Sequence, residues 1–283
     1  MKRNCLFFTI ILLFASTYTA HSLEIERVFR PARVTRGNTN VIRIQPIDEA
    51  AWLWISGDNG LTEKGDETPH SKSVAKGKVK FLKFKNEFEV AQGDGEISFD
   101  VSADERFYLT IDGQFVARGP NRAAVENWQY QTYRIKDLKP GKHIIEAVVW
   151  KTGDHGPLAQ LSHRGGFALK AEGVYDAKLT TGKGVWQVGW IEGIKPIGFA
   201  NKVWGTGSQF EITGRGPYAV NPEKWSTTAV VRKPVKWTGP DMWGLRMGGW
   251  MLYPTQLPDQ TEDKIFVGTV KAVAHTTKWR EEH

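Results

Sequence analysis

The sequence predicts an all-β protein, a jelly-roll-like antiparallel β-sandwich, and three observations carry that prediction. Apolar and polar residues alternate with a period of two through successive short segments between Lys78 and Glu172. Turn-forming residues separate those segments at roughly 8–12-residue spacing, the rhythm of a sandwich. Helical periodicity is scarce, while tryptophan and glycine are abundant, at 12 and 29 in 283 residues, which suits strands joined by tight turns.

Each element follows from local chemistry. Ala51-Trp52-Leu53-Trp54-Ile55 is a short apolar run closed by the turn signal Ser56-Gly57-Asp58-Asn59-Gly60. Leu61 to Lys76 lacks periodicity and is rich in turn formers, so an exposed, mobile loop is expected there. Val79 to Val90 alternates as one long strand, turned by Gly93-Asp94-Gly95. Glu96–Val101 and Arg106–Ile111 follow as strands, and Asp112-Gly113 is a two-residue hairpin turn into Gln114–Arg118. Gln129–Ile135 alternates again, and Lys139-Pro140-Gly141-Lys142 turns into the buried strand His143–Trp150. Gly165–Gly173 and Gly184–Ile191 supply further strands, Ile194–Gly214 is glycine-rich, and Pro222-Glu223-Lys224-Trp225 predicts a helical turn.

The start of the chain predicts export. Lys2 and Arg3 precede the apolar run Leu6–Ala15, and Ala20-His21-Ser22 offers a small-x-small cleavage site, the three parts of a secretory signal. The run is too short for a bilayer, which needs about 20 apolar residues. The expected division is a signal peptide over 1–22, a leader or edge strand over 23–50, a sandwich over 51–240, and a second β module or linker over 241–283. The expected location is periplasmic or extracellular, and no membrane span is expected. Cys5, the one cysteine, lies in the signal, so no intrachain disulfide and no thiolate zinc site is possible.

The formal charge of +7 falls by two when Lys2 and Arg3 leave with the signal. Six lysines crowd Ser71–Asn86, but several alternate with Val79, Phe81, Leu82 and Phe84. The solvated outer face of a strand explains this better than a nucleic-acid patch, and no nucleic-acid partner is expected. Attraction to acidic polysaccharide is permitted by the charge.

The ordered series SADERFYLTIDGQFVARGPNR (102–122), WQYQTYRIKDLKPGKHIIEAVVW (128–150) and PLAQLSHRGGFALKAEG (157–173) resembles the N-terminal β-sandwich of bacterial α-L-rhamnosidases of glycoside hydrolase family 78. Asp104, Asp112-Gly113, Arg118-Gly119-Pro120, Arg122, Trp128, Tyr130, Tyr133 and Lys139-Pro140-Gly141 fall at matching places, and PTQLPDQTED (254–263) is similar to the segment leading to the next domain of such enzymes. Gln131 stands where the family often has Asp, and His143 where Asn is common. The resemblance implies export, rhamnosides as substrate, and catalytic carboxylates on an (α/α)6 barrel that this sequence stops short of. No catalytic residue is carried over.

The residues themselves favour binding over catalysis. Glycoside hydrolysis uses two carboxyls about 5–10 Å apart across the sugar. Asp104 and Glu105 are neighbours and would point to opposite faces of a strand, while Asp241, Asp259, Glu262 and Asp263 lie in loops where carboxylates are solvated. The loop Trp150–Gly166 is rich in hydrogen-bonding groups and includes His155, Gln160, His163 and Arg164. With Arg118, Arg122, Trp128 and Tyr130 it forms a candidate sugar-binding rim, an aromatic face beside donors. Packing roles for Trp128 and loop-pinning roles for the arginines stand beside that reading. Asp104 or Asp154 joining a calcium site is a further option. A free-standing carbohydrate-binding protein and an independent polysaccharide-active enzyme are the rivals to an accessory module.

Overall fold

A computed structural model describes residues 22–32, 35–36, 41–42, 45–58, 79–152, 162, 164–196, 210–213, 218, 222–234 and 250–259. The signal segment, the 61–76 loop, His155, Gln160, Asp154 and His163, and the acidic residues at 241, 262 and 263 lie outside them.

In chain order the strands are β1 (Glu24–Val28), β2 (Thr35–Arg36), β3 (Val41–Ile42), β4 (Trp52–Ile55), β5 (Lys80–Val90), β6 (Ile97–Asp104), β7 (Arg106–Ile111) and β8 (Gln114–Gly119). They continue as β9 (Trp128–Lys136), β10 (Gly141–Lys151), β11 (Gly166–Ala171), β12 (Gln187–Trp190), β13 (Ile194–Pro196), β14 (Phe210–Ile212), β15 (Ser226–Arg232) and β16 (Leu252–Pro254). One α-helical turn, α1 (Asp176–Leu179), follows β11. The helical turn expected at Pro222–Trp225 is irregular chain instead, and β15 begins at the next residue.

Two layers face each other. The first is ordered β1-β9-β6-β11-β4 and the second β12-β5-β10-β7-β8. β15 joins them, pairing Ser226 and Thr227 with β12 and Thr228 to Arg232 with β4. The layers approach again at the opposite edge, where Leu23 donates its backbone N–H to Gln114 Oε1 at 3.0 Å and Gln131 Nε2 donates to the Arg118 carbonyl at 3.0 Å. The result is an almost closed antiparallel sandwich, as the alternation predicted.

Period-two burial makes the core. Phe99, Val101 and Ala103 of β6, Tyr133 and Ile135 of β9, and Phe167 and Leu169 of β11 pack against Leu82 and Phe84 of β5, Phe107 and Leu109 of β7, and Ile145, Ala147 and Val149 of β10. Fully burying such side chains contributes roughly 1.5–3 kcal/mol each. The Asp112-Gly113 hairpin forms as expected, with φ of 49° and 75°, and the Asp112 carboxylate also accepts the Ile144 N–H at 2.9 Å. His143 bridges the neighbouring turn, bonding Asp112 Oδ2 at 2.6 Å and the Lys139 carbonyl at 2.7 Å.

The two outer faces differ from a simple solvated sandwich. Over the first layer lies a second apolar cluster of Ile47, Trp52, Trp128, Tyr130, Ala168, Trp250 and Leu252. Its centre is the parallel stack of Trp52 on Trp250, with ring centroids 3.7 Å apart at 11°. Gly166 permits that stack, because a Cβ there would meet Trp52 at 2.7 Å and Trp250 at 3.1 Å. β16 extends the same face by pairing parallel with the start of β9. Over the second layer, Phe81, Val148 and Ile191 form a third cluster beneath β13 and β14. Lys83 departs from the solvated-face expectation: it is 5% exposed and forms an ion pair with Glu146 at 3.0 Å.

Candidate functional site

Ionisable groups converge at the rim where β6 passes into β7. Asp104 ends one strand and Glu105 is the bend before the next, so strand alternation does not separate them. Instead of opposite solvated faces they occupy one buried rim, at 0% and 2% exposure, with Lys151 at 2%. Asp104 Oδ1 accepts the Ser162 hydroxyl and lies 3.9 Å from Lys151 Nζ. Lys151 Nζ donates to Ser162 Oγ at 2.6 Å. Asp104 Oδ2 accepts the indole N–H of Trp250 at 2.8 Å and the Arg164 backbone N–H at 3.3 Å. Glu105 Oε2 accepts the Thr152 N–H at 3.0 Å and the Thr152 hydroxyl. Burial pushes the Glu105 carboxyl up, and the Lys151 charge acts in the opposite direction.

Beside this cluster, Arg106 donates to the Pro120 carbonyl at 2.8 Å. Burial lowers its pKa and the nearby Arg122 charge lowers it further. Arg122 itself is exposed, so one cation of the predicted rim does face solvent there. Glycosidase carboxyls must reach a sugar and a water, whereas Asp104 and Glu105 are buried and accept bonds from Ser162, Arg164, Trp250 and Thr152. Among the described residues no three His, Cys, Asp or Glu side chains gather as a metal-binding group.

The other sequence-predicted residues are not brought together. Trp128 is fully buried, with its indole N–H donating to the Ala103 carbonyl at 3.2 Å. Tyr130 is 1% exposed and donates to Gln45 Oε1 at 3.3 Å. A sugar-stacking role for either is corrected by this burial: both lie under Trp250 and Leu252 on the covered face of the first layer. Arg118 lies on the opposite layer, with its guanidinium 5.7 Å above the Tyr108 ring. His155 and Gln160 belong to the undescribed stretch.

Arg118 instead borders an aromatic strip that the sequence reading missed. Along the outer face of the second layer, Phe115 meets Tyr108 (5.1 Å), Tyr108 stacks on Tyr218 (4.1 Å, 15°), and Tyr218 meets Trp150 (6.2 Å). Trp150 continues the strip to Phe81 (6.0 Å), and Phe81 meets Phe210 edge-on (5.4 Å). Tyr218 is 40% exposed, and Tyr108, Phe115 and Trp150 are half-buried. The available signal was parity: Tyr108 and Trp150 share the face opposite core residues Phe107 and Val149.

Asp259 also departs from expectation. Rather than a solvated loop carboxylate, it accepts the Tyr133 hydroxyl at 2.7 Å, Gln131 Nε2 at 3.2 Å and Arg27 Nε at 3.2 Å. Arg27 adds a bond to the Thr255 carbonyl at 3.3 Å, and Asn121 bonds Thr255 Oγ1 at 2.9 Å. Burial raises the Tyr133 phenol strongly, and the Asp259 charge adds to it. This clamp fastens the 250–259 segment to β1 and β9 and, through Asn121, to the chain just after β8.

The fold has a counterpart among solved structures. A GH78-family rhamnosidase of Bacillus sp. GL1 superposes on 74% of this chain and 20% of its own, with a TM-score of 0.52 and 20% identity. The fold is rhamnosidase-like. This chain spans about a fifth of that enzyme's length. The α-L-rhamnosidase from Dictyoglumus thermophilum aligns at a TM-score of 0.41 and 13% identity, over 74% of this chain and 22% of its own. A Pleurotus ostreatus lectin aligns at 0.34 and 12%, over 72% and 47%. No family model matches the chain, and no curated protein does. Among the described residues no helix is long and apolar enough to cross a membrane.

Proposed function

We propose that this chain is a non-catalytic, carbohydrate-binding accessory sandwich of an exported α-L-rhamnosidase-like glycoside hydrolase, with the bond-cleaving carboxylates on a domain outside this sequence. The observation that carries the reading is the fold shared with one fifth of the Bacillus enzyme over three quarters of this chain. The rim chemistry supports it, because the two adjacent carboxyls are buried and serve strand ends rather than a cleft. The Asp259 clamp supports it too, since a segment fixed to β1 and β9 gives the following chain a defined departure point.

The glycan-facing surface in this reading is the aromatic strip with Arg118. Tyr218 and Trp150 present ring faces and edges that suit the apolar side of a pyranose, and Arg118 supplies donors for its hydroxyls. Rhamnose-containing oligosaccharides are the substrate class to try first. Calorimetry on the full chain, with and without calcium, is run beside an assay for released sugar. Saturable binding without release is expected, and Tyr218→Ala or Arg118→Ala weakens it about tenfold, roughly 1.4 kcal/mol. Sugar release by the chain alone would overturn the non-catalytic assignment. Absence of binding to any such glycan would overturn the binding role.

A further inference from the structure

We propose that the buried rim cluster is a self-modifying site, in which Lys151 Nζ condenses with the Asp104 side-chain carboxyl to form an intramolecular isopeptide bond. The bond would run from the end of β10 to the end of β6, stapling one layer of the sandwich to the other.

Four observations place the parts. The amine and carboxyl are already adjacent, with Lys151 Nζ 3.9 Å from Asp104 Oδ1 and both side chains at most 3% exposed. Holding two such groups together in a closed site supplies the proximity that an amide condensation in water lacks. Asp104 Oδ2 takes two N–H donors, from Trp250 Nε1 at 2.8 Å and the Arg164 backbone at 3.3 Å. Those donors sit where negative charge develops when the amine adds to the carboxyl carbon, the arrangement of an oxyanion hole. Ser162 Oγ bonds both Lys151 Nζ at 2.6 Å and Asp104 Oδ1, and so lines up the amine with the oxygen that must leave. Glu105, 2% exposed and tied at Oε2 to Thr152, adds a second buried carboxyl next to Asp104 in the chain.

The step balances without any co-reactant. The Lys151 ammonium passes one proton to Ser162 Oγ, which hands its own hydroxyl proton to Asp104 Oδ1, and the free amine adds to Asp104 Cγ. The new C–N bond forms, the Cγ–Oδ1 bond breaks, and Oδ1 leaves as water, holding the proton passed through Ser162 and taking a second one from the nitrogen. The third ammonium hydrogen stays on the amide. Oδ2 becomes the amide carbonyl, still bonded by Trp250. Two buried charges disappear in the process, which removes the desolvation penalty of the ion pair. The chemistry also fits a chain whose single cysteine allows no intrachain disulfide.

The test is the mass of the folded full chain, confirmed as β-rich by circular dichroism. Its denatured mass is expected to be lower than the sequence mass by one water, about 18 Da. A tryptic digest should yield one branched peptide joining the Asp104 and Lys151 segments, with no cleavage after Lys151. Lys151→Arg and Ser162→Ala chains should show the full mass, and the second variant separates loss of the proton relay from loss of the amine. A folded wild-type chain of full mass that trypsin cleaves after Lys151 would overturn the proposal. So would a Lys151→Arg chain that keeps the 18 Da deficit.

Discussion

Asp100 gives the sharpest test of the energetics. It sits on the outer face of β6, 2% exposed, accepting the Thr132 hydroxyl at 2.6 Å, with Arg30 Nε at 3.5 Å. Burial pushes its carboxyl up to about 6, against the lowering effect of Thr132 and Arg30. The folded value lies above the unfolded one, so the native state holds the extra proton between about pH 4 and pH 6, and stability falls as pH rises through that window. From the shift, the ionised carboxylate costs the native state about 1 kcal/mol near pH 4.5 and about 3 kcal/mol near pH 8. Asp100→Asn keeps an oxygen for the Thr132 hydroxyl and removes the charge, while Arg30 retains Glu172 at 2.7 Å. Urea denaturation of both chains at the two pH values is the assay, because the difference between them isolates this one group. The variant should be the more stable at pH 8, with the gap shrinking by about 2 kcal/mol at pH 4.5. A variant less stable than wild type at pH 8, or a gap independent of pH, would refute the reasoning.

Other perturbations test the packing. Asp259→Ala leaves the Tyr133 hydroxyl and Gln131 amide without this acceptor and should cost about 1–3 kcal/mol, read by thermal denaturation together with faster proteolysis near residue 255. Unchanged stability and unchanged cleavage would mean the clamp does not hold the segment. Gly166→Ala drives a Cβ into the Trp52–Trp250 stack and should destabilise by about 1–3 kcal/mol. It should also diminish the near-ultraviolet dichroism of that indole pair, and a retained signal would contradict the stack. Lys83→Met removes one buried partner of Glu146, which is 21% exposed on its side chain and can turn to water. The expected loss is therefore small, about 1 kcal/mol or less, and a loss several times larger would show that the pair is sealed from solvent.

Much of the fold was legible because its determinants are local. The alternation in 79–90, 129–135 and 143–150 marked strands with their buried sides, and Asp112-Gly113 marked a hairpin because few residue pairs accept positive φ at both positions. The site was legible only in part. Trp128 and Tyr130 looked available for a ligand because a single strand cannot say whether its outer face is covered. Here Ile47, Trp250 and Leu252, distant in sequence, cover it. Asp104 and Glu105 looked separated because alternation was extended across a bend.

The sequence by itself determined the strands, the main turns, which side of each strand faces the core, and the impossibility of an intrachain disulfide, since each depends on neighbours in the chain. The tertiary structure alone decided which strands share a layer, that the outer faces carry their own clusters, and that Lys151, Ser162 and Trp250 meet at Asp104. The physical reason is range. Backbone propensity and side-chain parity act within a few residues, whereas burial, ion pairing and stacking between partners 11 to 146 positions apart exist only once the layers have closed.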